Sequence, residues 1–162
     1  MAQAPIVAVI TGSIGDKDAM EGCLSTLARL EIAHEFRVLS AHRDPEGLGA
    51  YVRDAEPRGV RVFIGAAGLA AHLAGALAAR SLLPVIGVPL VASPLGGVDA
   101  LLSTLQMPRG LPVATVGVGK EGPANAAFLA AEILALGDPA LKARIAAERA
   151  ALLAKGRGET LA

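Results

Sequence analysis

The chain has 162 residues, is 53% hydrophobic but only 2% aromatic, and carries no net charge. That length suits one domain spanning 1–162 with a real core, and balanced charge with no basic stripe excludes a nucleic-acid binder. Cys23 stands alone, which excludes an internal disulfide and a cysteine-based metal cluster and leaves it a packing residue on a helix.

The first twelve residues, "MAQAPIVAVITG", lack a charged segment followed by a long apolar one, so no secretory signal is expected. No apolar run reaches the roughly 18 residues of a membrane span. A cytoplasmic protein with no membrane partner is therefore expected.

In chain order, "IVAVIT" (6–11) reads as a strand, and 16–30 as an amphipathic helix with Met20, Leu24, Leu27 and Leu30 near helical spacing. A second strand is predicted over 34–39 and a second helix over 45–57. A third strand covers 59–65 and a third helix 69–80. Strand four covers 83–89, helix four 96–106, strand five 111–118 and helix five 123–136. A charged helix follows over about 138–155, and the tail 155–162 reads as frayed.

Strands alternating with helices over short connections imply a parallel sheet with right-handed crossovers. The expected fold is α/β: a three-layer sandwich, flavodoxin-like, of about five strands with flanking helices and a C-terminal helix. Its core lies within about 6–136. Helix 124–136, "ANAAFLAAEILAL", is rich in alanine on every side. Such a helix should be buried all round, and subunit association is the simplest way to bury it.

In an open parallel sheet, ligands bind beyond the carboxyl ends of the strands. The segments there are "TGSIGDKD", "SAHRDP", "GAAGLAAHLAG" and "PLVASPLGG". The first three should converge on one edge, bringing together Ser13, Asp16, Ser40, His42, Arg43 and His72, with Gly68 in the third loop. "TGSIGD" could cradle an anion on helix N-terminal amides, glycine permitting close approach. Ser13 or Asp16 could equally be a helix cap, and spacing alone leaves both readings open. Asp16 could accept from ribose hydroxyls.

Arg43 offers a planar fork of donors suited to phosphate or carboxylate. His42 can exchange a proton near neutrality. His72, in a helix of small residues, could line the pocket or sit in the core, and His34, at a strand start, reads as structural. "GVGKEG" (117–122) has spaced glycines, but it follows the last strand and does not open the first unit. No histidine pair has zinc spacing and no acidic cluster suggests magnesium; no Gly-x-Ser-x-Gly elbow appears. From the residues alone, the expectation is a pocket without cofactor or metal. An anion cradle, a guanidinium and an acid–base histidine suit proton transfer or decarboxylation on a small phosphorylated substrate.

The same stretches resemble a known family. "GS-x-x-D", "SAHR", "AAHL", "PVIGVP", "GVDALLSTLQMPRGLPVATV" and "GK-x-G-x-x-NAA-x-LAA-x-ILAL" occur in order over about residues 6–136. Together they are similar to the class I N5-carboxyaminoimidazole ribonucleotide mutases of purine biosynthesis. The resemblance implies an isomerase moving a carboxylate from the exocyclic nitrogen to carbon 4 of the ring, with no cofactor, metal, ATP or biotin. It implies release of CO2 in a closed pocket and its recapture. His42 would be the catalytic acid and then base. Ser13, Asp16, Ser40, Arg43, Gly68 and His72 would form the substrate-binding set, and the assembly would be a homo-octamer.

The chain departs from the family pattern at several positions. Gly15 and Lys17 replace a serine and a tryptophan, Asp44 replaces a threonine, Ala66 and Leu69 replace glycines, and Ala74 replaces a proline. Side chains at 66 and 69 occupy room that glycine leaves for a ligand. The alternatives are a divergent paralogue, an aminoimidazole ribonucleotide carboxylase using free CO2, and a nucleotide-binding module without catalysis.

Overall fold

The computed structural model describes residues 4–158. Strands β1 (Val7–Thr11), β2 (His34–Val38), β3 (Val62–Ala67), β4 (Val85–Pro89) and β5 (Ala114–Thr115) form one parallel sheet in the order β2-β1-β3-β4-β5. Between and after them run α1 (Glu21–Arg29), α2 (Pro45–Ala55), α3 (Leu73–Ala78), α4 (Val98–Leu105), α5 (Glu121–Ala135) and α6 (Pro139–Gly158). This is the flavodoxin-like α/β order, and its switch point falls between β1 and β3.

The central strands are apolar but for Thr11, because helices cover both faces. Every residue of β1 and β4 is buried. On one face Val7, Val9, Val62, Ile64 and Ile86 pack with Cys23 and Leu27 of α1, with the alanines of α5, and with Leu141 and Ile145 of α6. On the other, Ala8, Ile10, Phe63 and Val85 meet Leu48 and Val52 of α2 and Leu73, Ala74 and Leu77 of α3.

Two strand glycines let helices pack close to the sheet. Gly65 pairs in register with Gly87. A Cβ on Gly65 would meet Leu77 Cδ1 at 3.0 Å and Ala74 Cα at 3.1 Å. Bare backbone at Gly65 lets α3 lie directly on the sheet, which fixes where the segment before α3 emerges, and bare backbone at Gly87 makes room chiefly for the Thr104 methyl of α4.

Several boundaries differ from the predicted ones for identifiable reasons. The helix predicted from residue 16 begins as two 3-10 turns, Ile14–Asp16 and Asp18–Met20, and becomes α-helical at Glu21. There the Ser13 hydroxyl accepts from the Gly15 amide, so side-chain bonding competes with the helical pattern. Strand β3 starts at Val62, because Gly59 turns with φ +110°. Helix α3 starts only at Leu73, because Leu69 has φ +56°, outside helical conformation. Strand β5 is two residues long; Pro112, just before it, has no amide to donate.

Helix α5 is not buried all round. Ala126, Ala127, Ala130 and Ala131 are buried, Leu129 and Ile133 only partly, and Asn125 is exposed. Helix α6 continues through Gly158, so residues 155–158 are helical, not frayed; 159–162 lie outside the described residues. No helix of the described residues is long and apolar enough to cross a membrane.

Candidate active site

The segments following β1, β2 and β3 meet at the carboxyl edge of the sheet, beside the switch point. They line a cavity of about 440 Å³ together with Ala92, from the segment after β4. All seven residues singled out in the sequence, Ser13, Asp16, Ser40, His42, Arg43, Gly68 and His72, lie along it. Larger hollows occur elsewhere, such as one of about 680 Å³ between α5 and α6, but Glu132, Lys142 and Arg149 are the only titratable groups lining it.

The first loop is folded by short-range bonds. The Thr11 hydroxyl donates to Ser13 O at 2.9 Å, and the Ser13 hydroxyl accepts from the Gly15 amide at 3.3 Å. Ser13 therefore does cap a 3-10 turn, and the same residue lines the cavity. Partial burial pushes the Asp16 carboxyl above the usual carboxylate range; the Ser13 backbone and the charge of Arg43 oppose the shift without cancelling it.

The second loop is an equally determined turn. The Ser40 hydroxyl accepts from the Arg43 amide at 3.2 Å, and the Asp44 amide donates to Ser40 O at 3.0 Å. Asp44 then caps α2, its carboxylate accepting from the Gly47 amide at 2.8 Å, with Pro45 in the first helical position. A closed turn followed at once by a capped helix leaves His42 and Arg43 projecting from the sheet edge. Arg43 Nη2 donates to Gly12 O at 2.7 Å, tying the second loop to the first. One donor spent on that carbonyl leaves the rest of the guanidinium fork for an anion.

The third loop brings His72. It sits immediately before α3 rather than four residues inside a helix as predicted. Its Nδ1 lies 2.8 Å from His42 Nε2, with the rings edge to face at 84° and centroids 4.9 Å apart. Both histidines are exposed at the cavity. One nitrogen of the pair must donate and the other accept, so each ring fixes the tautomer of the other. Gly68 is placed by packing: a Cβ there would run into the Ala92 methyl and stand 3.3 Å from Leu90 O.

His34 lies apart from the cavity, its Nδ1 2.8 Å from Ile32 O. Cys23 is fully buried against the sheet, and burial pushes its thiol up to about 12. Lys120 is exposed before α5, 3.8 Å from Glu121. Among the described residues no group of histidine, cysteine and carboxylate side chains is arranged to hold a metal ion. Sequence reasoning missed three contributors: the Gly12 carbonyl that anchors Arg43, Ala92 from the fourth loop, and Leu69. The first two left no signal beyond their positions after a strand. Leu69 was legible only as a departure from a glycine.

The geometry is that of a hollow of about 440 Å³ lined by a guanidinium, a carboxyl group and an imidazole pair. The family model described as AIR carboxylase matches residues 6–155. The N5-carboxyaminoimidazole ribonucleotide mutase of Pyrococcus abyssi is 49% identical over 141 residues, 87% of this chain and 80% of that one. The enzyme of the same name from Escherichia coli K12 is 47% identical over 139 residues, 86% of this chain and 82% of that one. Among solved structures, PurE of Treponema denticola superposes with a TM-score of 0.85 at 28% identity, covering 93% of each chain.

Proposed function

The chain belongs to the AIR carboxylase family, and we propose that His42 carries the proton transfers of its reaction. It is an isomerase of purine biosynthesis with the activity for which its relatives are named, N5-carboxyaminoimidazole ribonucleotide mutase. The single observation that carries the role of His42 is its 2.8 Å contact with His72 in the hollow that Ser13, Asp16 and Arg43 also line.

The steps balance without a co-reactant. The bond between the exocyclic nitrogen and the carboxylate breaks, giving CO2 and an electron pair on nitrogen, which takes a proton from His42. Ring carbon 4 then attacks CO2 and forms the new carbon–carbon bond. His42, now neutral, removes the proton left on carbon 4 and restores the aromatic ring. The histidine ends as it began. One imidazole can serve in both directions because it is neither a strong acid nor a strong base at neutral pH.

His72 orients the imidazole. Arg43, Ser13 and the amides after β1 take the phosphate, and Asp16 takes the ribose hydroxyls. Ser40 and Gly68 shape the wall. Holding CO2 beside the ring is a proximity effect, worth about 7–11 kcal/mol where orientation is ideal. Because the two histidines are exposed in the single chain, the closed pocket that retention of CO2 requires is completed by subunit association. An octamer is the proposed assembly. It is supported by unpartnered apolar side chains on and near α4: Leu95, Val98, Leu102 and Leu105 are 65, 55, 49 and 52% exposed. The proposed location is the cytoplasm.

The test is purified protein given each carboxylated isomer in turn, without ATP or bicarbonate. Interconversion in both directions is expected. A protein that makes the carbon-carboxylated isomer only when CO2 is supplied is a carboxylase, and one that binds nucleotide without converting it is a binding module; either result overturns the reading.

A further inference from the structure

Leu69 lies in the left-handed region, with φ +56°, on the wall of the active-site cavity. The described residues hold one other non-glycine residue with positive φ, Glu31, also at +56°. Glu31 is explained locally. It follows α1, with its amide donating to Ala28 O and the next amide, of Ile32, donating to Leu27 O, the bond pair of a Schellman helix end. Leu69 has no such context. It lies between β3 and α3, far from any helix C-terminus.

The surrounding chain enforces the conformation. Gly68 is seated against Ala92 with no room for a Cβ, and the His72 amide donates to Ala70 O at 2.8 Å, pinning both sides of Leu69. Glycine adopts this conformation freely, whereas leucine is held there against its preference. A strained bulky residue that persists in a site points to a use for its side chain.

The composition of the wall suggests the use. Of the residues lining the cavity, Leu69 and Leu73 alone have large apolar side chains; Leu73, the first residue of α3, is buried, while Leu69 is 57% exposed. The remaining apolar lining is alanine and glycine. The reaction's vulnerable species is uncharged CO2, which is lost by escape or by hydration. We infer that the Leu69 side chain is an apolar wall beside the histidine pair that keeps water out and CO2 in. It is a positioning residue, and this role rests on the mutase reading above.

The experiment uses N5-carboxylated substrate labelled with carbon-13 in the carboxylate. It compares label found in the carbon-carboxylated product with label released as CO2 and bicarbonate. Leu69→Gly removes the wall and relieves the backbone; Leu69→Ala removes the wall but keeps the strain; Leu69→Met keeps a wall. Expected are a severalfold rise in released label for the glycine and alanine variants, retention close to wild type for the methionine variant, and a melting temperature for Leu69→Gly no lower than wild type. Retention equal to wild type in both the glycine and alanine variants, with wild type active, overturns the inference alone. A fall in the melting temperature of Leu69→Gly overturns the argument from strain. A wild type that leaves the substrate unconverted overturns the mutase reading, and the wall with it.

Discussion

His42 Nε2 and His72 Nδ1 lie 2.8 Å apart although the residues are 30 positions apart in the chain. The contact joins the segment after β2 to the segment before α3, across β1, the strand that lies between β2 and β3 in the sheet. A hydrogen bond between two imidazoles needs one donor and one acceptor, so it survives with at most one extra proton shared by the pair. A second proton would leave two donors facing each other and break the bond. The contact therefore holds one imidazole N–H against the bare nitrogen of the other ring at a fixed place beside the cavity.

His42→Asn is expected to abolish interconversion of the two carboxylated isomers and to keep nucleotide affinity within about tenfold, or 1.4 kcal/mol. Asparagine fills similar space but cannot exchange a proton at neutral pH. Turnover is followed by isomer conversion and affinity by calorimetry with the uncarboxylated nucleotide. Turnover equal to wild type would remove His42 from the chemistry.

In the proposed mechanism His72 acts through His42, so its loss should show differently. His72→Ala is expected to lower kcat by about tenfold, an increase of about 1.4 kcal/mol in the barrier, with KM little changed. The pH–rate profile should also move, because the bond that fixes the His42 tautomer is gone. His72→Asn, whose amide oxygen can stand near the place of Nδ1, should restore most of the rate. An alanine variant with an unaltered profile would reduce His72 to lining.

Where the candidate residues gather was legible because a parallel sheet places the residue after each strand on one edge. Ser13, Asp16, Ser40, His42 and Arg43 follow directly from that rule, and the cavity does line up with them. What was not legible depends on backbone detail. The late start of α3 follows from one dihedral at Leu69, and apolar periodicity carries no information about φ. The shortness of β5 follows from a proline ahead of it, where the run "LPVATVGV" by itself reads as eight residues of strand. The reading of α5 as buried all round weighed its alanines and passed over Asn125 and Glu132; a single chain buries the alanine face and leaves Asn125 exposed.

Arg43→Ala should weaken binding of the phosphorylated substrate by about 1.5–3 kcal/mol, the range for a hydrogen bond to a charged group. It should also loosen the tie to Gly12 O. The loss should appear in KM, while the unphosphorylated nucleoside, already weak, should bind wild type and variant alike. The assembly seen by light scattering should not change, because Arg43 faces the cavity. Equal loss for nucleotide and nucleoside would place the phosphate elsewhere.

Asp16→Asn separates stability from binding through pH. In the native protein burial holds the Asp16 carboxyl above the 3.8 of the free side chain, despite the opposing Ser13 backbone and Arg43 charge. Between the unfolded and folded values the native state therefore binds more protons at this position than the unfolded state does. Stability from this residue falls as pH rises through that interval. Its cost is absent below the unfolded value and fully present above the folded one. Asparagine carries no such cost. Asp16→Asn should melt above wild type at pH 7, and the gap should close as pH drops below the ordinary carboxylate range. At pH 7 the same variant should bind nucleotide more weakly, having exchanged a carboxylate acceptor for an amide. A carboxyl present only for structure would leave binding untouched, and one stabilised by its charge would make the asparagine variant melt below wild type at pH 7. A carboxyl kept at an energetic cost for its ligand gives a more stable protein that binds less well.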